Sequence, residues 1–177
     1  MPVSRNITLL GWFNFWAEFR PYAPIAILYY AQVSGSYALG MSIFSAAMLA
    51  QSLFEVPTGI LSDMVGRKKT VVYGAVAGVF ALTFYAIGGT YLALLIGAIF
   101  EGLGRAFYSG NNDALLYDTL AEMEDHAAFQ HHLGRTSSMY QFALAIAAVL
   151  GSLIAAISFQ VVYWLSVIPM VLALLVS

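Results

Sequence analysis

Gly59-Ile60-Leu61-Ser62-Asp63-Met64-Val65-Gly66-Arg67-Lys68-Lys69 is the stretch whose reading decides the fold of this chain. It packs one acid, three bases and two glycines into a short polar turn. On either side lie apolar runs of membrane-spanning length, which need about 20 mostly apolar residues. A charged turn clamped between two such runs belongs to a protein embedded in a bilayer. The whole composition agrees. Of the 177 residues, 61% are hydrophobic and only 9% charged, with a mean hydropathy of +0.81. Soluble domains carry about 25% charged residues. The net charge of -2 gives no electrostatic footprint for nucleic acid. There is no cysteine, which removes disulfides, thiol catalysis and cysteine-based metal sites. No small-residue cleavage site follows the first apolar run, so no cleavable signal peptide is expected.

Working outward from the turn, six apolar spans are expected at about 7–31, 37–61, 70–87, 91–109, 139–158 and 161–177. The connections at 32–36, 88–90 and 159–160 are short and uncharged. The N-terminal tail, the 62–69 turn and the 110–138 segment hold Arg5, Arg67, Lys68, Lys69 and Arg135. Basic residues concentrate on the cytoplasmic side of a membrane. Both termini are therefore expected to be cytoplasmic. Pro21 and Pro24 should bend the first span, Pro57 the second and Pro169 the sixth, since proline removes a helix hydrogen bond and clashes with the preceding turn. Gly74 and Gly78 form a G-x-x-x-G pair, and Ala143, Ala147, Gly151 and Ala155 repeat every four residues. Such faces let helix backbones approach closely, either within the chain or between chains. Gly59 fits a close helix approach or a tight exit from the bilayer, and Gly66 a left-handed turn.

Charged side chains deep in a bilayer cost roughly 2.5–3.5 kcal/mol each and mark partners or wet cavities. Glu18 and Arg20 fall in the first span, Glu101 and Arg105 in the fourth. Residues four apart share a helix face, so Glu101 and Arg105 can pair. Glu18 and Arg20, two apart, face away from each other unless Pro21 distorts the turn. Glu101 reads either as a proton-titrating carboxylate or as the structural partner of Arg105. Trp12, Trp16 and Phe19 share a face, and with Tyr22, Tyr29, Tyr30, Phe107 and Tyr108 they line either a hydrophobic cavity or the lipid interface. The polar segment 119–135 reads as a helical extension followed by a solvated loop. His126, His131 and His132 lie in it without metal-ligand spacing. No nucleophile–base pair, phosphate loop or metal constellation points to an enzyme or to a cofactor.

The pattern G-x-L-x-D-x-x-G-R-K of Gly59, Leu61, Asp63, Gly66, Arg67 and Lys68 resembles the loop between the second and third helices of major facilitator superfamily (MFS) transporters. Glu55-Val56-Pro57-Thr58-Gly59 and Ser109-Gly110-Asn111-Asn112-Asp113-Ala114-Leu115-Leu116-Tyr117-Asp118 are similar to segments of a drug-efflux-like branch. Met64 departs from the pattern, which usually has a base after the acid. The resemblance implies an all-α, six-helix N-terminal half made of two inverted three-helix repeats, multi-pass in the cell (inner) membrane. It implies secondary transport by alternating access, with proton-coupled efflux of small hydrophobic or amphipathic molecules. Asp63 and Arg67 would form a gating relay, bounded by Glu55, Asp113 and Asp118. Glu18, Arg20, Glu101 and Arg105 would meet at the central cavity, because the first and fourth helices line it in this fold. Partners implied are the lipid bilayer, a small-molecule substrate, protons, and a C-terminal half or second copy. The chain ends at Ser177 directly after its sixth expected span, so a piece of a twelve-span carrier is expected. A natural half that dimerises, pairs with another chain, or serves as a non-transporting assembly unit is the alternative.

Overall fold

A computed structural model describes residues 2–109, 111–121 and 129–177. Every regular element among them is helical. The helices are α1 (Pro2–Glu18), α2 (Ala26–Ser34), α3 (Tyr37–Val65), α4 (Arg67–Ile87), α5 (Tyr91–Tyr108), α6 (Asn111–Ala121), α7 (Phe129–Ala155) and α8 (Phe159–Val176), with one 3-10 turn at Ala23–Ile25. Five are long and apolar enough to cross a membrane: α3, α4, α5, most of α7, and α8. The chain is thus an all-α membrane protein. The expected first span is not one helix. It is divided between α1 and α2, because Pro21 and Pro24 interrupt the hydrogen-bond ladder just after Glu18.

The two ends of the bundle are built differently. At one end, the turns into α3, α5 and α8 are tight and capped by side chains. Ser36 accepts from the Leu39 N–H at 3.1 Å, Thr90 from Ala93 at 3.2 Å and Ser158 from Val161 at 3.5 Å. These satisfy donors that a helix start leaves free. At the other end, α3 passes into α4 through Gly66 alone, with φ 94° and ψ 145°. Positive φ is why glycine stands there. The extended ψ differs from the left-handed conformation expected. It reverses the chain in a single residue, and Arg67, Lys68 and Lys69 form the first turn of α4. This is the basic end of the bundle.

Packing follows a swap rule. The main contacts run between α3 and α5, α4 and α5, α4 and α8, α2 and α3, α1 and α7, and α1 and α8, and all but α2/α3 obey it. Exchanging the first, second and third spans for the fourth, fifth and sixth converts α1/α7 into α5/α3 and α1/α8 into α5/α4, and leaves α4/α8 unchanged. Small residues set these contacts. A Cβ at Gly102 would meet the Ala47 carbonyl and Gln51 amide of α3, and one at Gly151 would meet the Pro21 backbone. Gly74 lies under the Tyr108 ring and Gly78 under Met170. Ala143 and Ala147 are buried. The small-residue faces therefore serve packing within the chain. Gly59 does not: it sits inside α3, exposed, with nothing near its Cβ position. Leu49, Leu53 and Val56 on α3, Val149 and Leu153 on α7, and Ile157 in the turn after it stay exposed. Lipid accepts such surfaces at no cost, so close packing and buried hydrogen bonds hold the helices together.

One further expectation is corrected. The α7 helix begins at Phe129, so His131, His132 and Arg135 are helical rather than in a loop. Glu122, Glu124, Asp125 and His126 lie outside the described residues.

Candidate functional site

The break after α1 brings charged groups together in the bundle interior. Once the helix stops at Glu18, Arg20 is free to turn back. Its Nε donates to the Ala17 carbonyl at 3.2 Å and its guanidinium donates to Glu18 Oε1 at 2.8 Å. The two residues thus pair through the distortion that Pro21 introduces, which a regular helix would forbid. Across from them, α5 carries the second pair, Arg105 to Glu101 Oε1 at 2.6 Å. Glu101 is the better enclosed partner, its side chain 14% exposed. It also accepts from the Tyr85 hydroxyl of α4 at 2.7 Å and from Tyr22 at 3.5 Å. A small cavity of about 30 Å³ joins Arg20, Tyr22, Glu101, Arg105 and Tyr108. Such a space holds a water or two. Arg105 Nε and the Tyr108 hydroxyl are buried and make no hydrogen bond within the protein. The four charged residues singled out in the sequence form one cluster.

A second network closes the basic end. Arg67 Nε pairs with Asp118 of α6 at 2.6 Å, not with Asp63. Asp63 is exposed at the end of α3, and among the described residues neither it nor Lys68 makes an ion pair. The turn has a buried pin. Asn111 is held between α3 and α4: Ser62 Oγ donates to its Oδ1 at 2.8 Å, and its Nδ2 donates to the Arg67 carbonyl at 3.1 Å. Glu55 accepts from Ser109 Oγ at 2.6 Å, tying α3 to the end of α5. Asp113 is in α6, and its side chain lies outside the described residues.

Sequence reasoning missed Asn111, Tyr85 and Tyr163. Asn111 stood inside a quoted segment but carries no charge to draw notice. Tyr85 and Tyr163 look like interface tyrosines, being near helix ends, yet both are fully buried. Tyr22, Tyr29 and Tyr30 pack with them in the core. Trp12 and Leu28 remain exposed on the outside.

Comparisons with known proteins agree with this architecture. The family model described as Major Facilitator Superfamily matches residues 7–177. An uncharacterized MFS-type transporter of Methanocaldococcus jannaschii is 36% identical over 86 residues, covering 48% of this chain and 22% of that protein. A crystal structure of a mutant of the peptide transporter POT, in complex with alafosfalin, superimposes with a TM-score of 0.70 at 22% identity. That likeness, which speaks to fold, covers 96% of this chain and 37% of the other. The chain thus spans well under half the length of that transporter. Its helices, its glycine-pivoted basic turn and the match over nearly its full length lead to one conclusion: the chain belongs to the major facilitator superfamily.

Proposed function

We propose that this chain is one half of a secondary active transporter that works by alternating access, coupling proton movement to efflux of small hydrophobic or amphipathic molecules. The observation that carries the reading is the Glu101 site. One carboxylate in the middle of an apolar helix holds a guanidinium and two tyrosine hydroxyls, enclosed beside a second acid–base pair. Groups of this kind inside a membrane are expensive, and proton relays in carriers are built from them. A proton on Glu101 Oε1 would cancel the charge that holds Arg105. Arg105 would then be free to turn toward Glu18 or a substrate in the cavity.

The proposal takes the chain as an N-terminal six-span domain of two inverted repeats, with α1 and α2 together as the first span. Repeats of three spans must run in opposite directions across the membrane, and the swap rule in the packing supports the pairing. The positive-inside rule places the basic end, and both termini, in the cytoplasm of a cell whose inner membrane holds the protein. There Arg67, Asp118 and Asn111, with Asp63 and Glu55, act as the gate. Substrate sites of such carriers form between halves near the midplane. A second half or a second copy supplies the other wall.

The test is transport in proteoliposomes under an imposed pH gradient, with an amphipathic dye as probe. Glu101→Gln is expected to abolish gradient-driven movement and leave the fold intact by circular dichroism. Gradient-driven transport at the wild-type rate in Glu101→Gln would refute proton coupling at this site.

A further inference from the structure

We infer that a column of buried tyrosine hydroxyls conducts protons between Glu101 and the end of the bundle opposite the basic turn. The inference rests on the proposed role of Glu101 as the titrating carboxylate.

Five tyrosines from four elements meet in the core: Tyr22 in the break, Tyr29 and Tyr30 on α2, Tyr85 on α4 and Tyr163 on α8. Their ring centroids lie between 4.5 Å apart, for Tyr29 and Tyr163, and 6.5 Å, for Tyr22 and Tyr85. All five are buried. Phenylalanine would pack such a core without the cost of taking hydroxyls out of water. The hydroxyls are not scattered. Tyr85 donates directly to Glu101 Oε2 at 2.7 Å. Behind it stand Tyr30 and Tyr163, 1% and 0% exposed, whose hydroxyls make no hydrogen bond of 3.5 Å or shorter within the protein. Yet their rings adjoin, with centroids 5.2 Å apart for Tyr30 and Tyr85 and 6.1 Å for Tyr30 and Tyr163. Unpartnered hydroxyls on adjoining rings are suited to exchange protons through a bridging water. Buried hydroxyls left without any partner are rare in native interiors.

The column has a direction. Glu101 lies about 15 Å along α5 from its start at Tyr91. Tyr85 is near the end of α4, and Tyr163 near the start of α8, both at the capped end of the bundle. Tyr29 packs on Tyr163 and donates its hydroxyl to the Tyr85 carbonyl at 2.8 Å. It also lines a vestibule of about 490 Å³ at that end, with Gln32, Ser158 and Gln160. The hydroxyls therefore run from a polar vestibule to the carboxylate. Around Glu101 itself stand Tyr22 and Arg105 in hydrogen-bond contact, Arg20 and Tyr108 on the same small cavity, and Glu18 paired to Arg20. Tyr85, on the vestibule side, is the hydroxyl that can pass a proton to Oε2.

The step balances. A hydronium in the vestibule gives a proton to the Tyr29 oxygen as Tyr29 releases its own to Tyr163, and Tyr163 releases its own to a bridging water. The water passes one to Tyr30, Tyr30 passes one through a second water to Tyr85, and Tyr85 gives its proton to Glu101 Oε2. Each oxygen receives one proton as it gives one. No phenolate remains, and the net change is one proton on the carboxylate.

The experiment is infrared difference spectroscopy of the purified chain in lipid discs after a pH jump. The carboxylic acid band of Glu101 is identified by its loss in Glu101→Gln. Tyr30→Phe with Tyr163→Phe keeps both rings and removes both hydroxyls. The band is expected to reach nearly the same midpoint in that variant, with protonation slowed at least tenfold. Tyr91→Phe, whose hydroxyl bonds Ser42 outside the column, is expected to keep the wild-type rate. A wild-type rate in the double variant overturns the column. A wild-type chain with no titrating band overturns the coupling reading, and with it the column's role. If the double variant does not fold, each single variant is expected to slow severalfold, and wild-type rates in both singles overturn the proposal.

Discussion

Arg105–Glu101 and Arg67–Asp118 are both closed at 2.6 Å, but Glu101 is 14% exposed and Asp118 52%. Length does not distinguish the two pairs, so surroundings must. At the basic end, water competes for both partners, and an exposed pair contributes about 0–1 kcal/mol. In the bundle interior water reaches Arg105 but hardly Glu101, so removing the base strands an enclosed carboxylate. The interior pair is also wired to tyrosine hydroxyls from two other elements, while the outer pair depends on Asn111 to hold its turn. One pair can therefore store the effect of a proton, and the other can open and close cheaply.

Thermal unfolding in detergent is the way to break this contrast. Arg105→Leu leaves Glu101 enclosed without its base and is expected to destabilise by about 3 kcal/mol, the lower end for buried pairs because Arg105 itself is partly exposed. The double change with Glu101→Gln should recover most of that. A loss below about 1 kcal/mol for Arg105→Leu would mean that the interior pair behaves like a surface one. The turn should respond to its pin more than to its ion pair. Asn111→Ala strands Ser62 and the Arg67 carbonyl and is expected to cost about 1–2 kcal/mol, whereas Arg67→Ala should cost less than about 1 kcal/mol. Equal losses would reverse the roles given to them. Glycines offer the finest comparison. Gly102, beside Glu101, has α3 backbone at its Cβ position, so Gly102→Ala is expected to destabilise by roughly 1 kcal/mol or more through overpacking. Gly59 has open space, and Gly59→Ala is expected to be neutral or to stabilise by about 0.5 kcal/mol, since alanine is the better helix former.

How far the sequence could be read follows from what each feature depends on. Span length and loop charge are local, so the membrane class and the basic turn at Gly66 were legible. The i, i+4 spacing of Glu101 and Arg105 is also local, and the pair forms as expected. The Glu18–Arg20 pair depends on how far Pro21 and Pro24 break the helix, which spacing alone leaves open. Arg67 takes Asp118, some fifty residues away, in place of Asp63, because α6 folds back beside the turn. The tyrosine core draws on α2, α4, α8 and the break, so nothing in any one segment marks it. Gly59 belongs to the most recognisable motif of the chain, yet no neighbouring element comes within 4 Å of where its Cβ would stand.

The central claim is that the interior pair couples protons to transport and the outer pair does not. It is tested most directly by measuring both gradient-driven accumulation and gradient-free exchange of one amphipathic probe in proteoliposomes, for Glu101→Gln and Arg67→Ala side by side. The account predicts that Glu101→Gln loses accumulation and keeps exchange, while Arg67→Ala slows both by the same factor. Accumulation retained in Glu101→Gln, or lost selectively in Arg67→Ala, would contradict it.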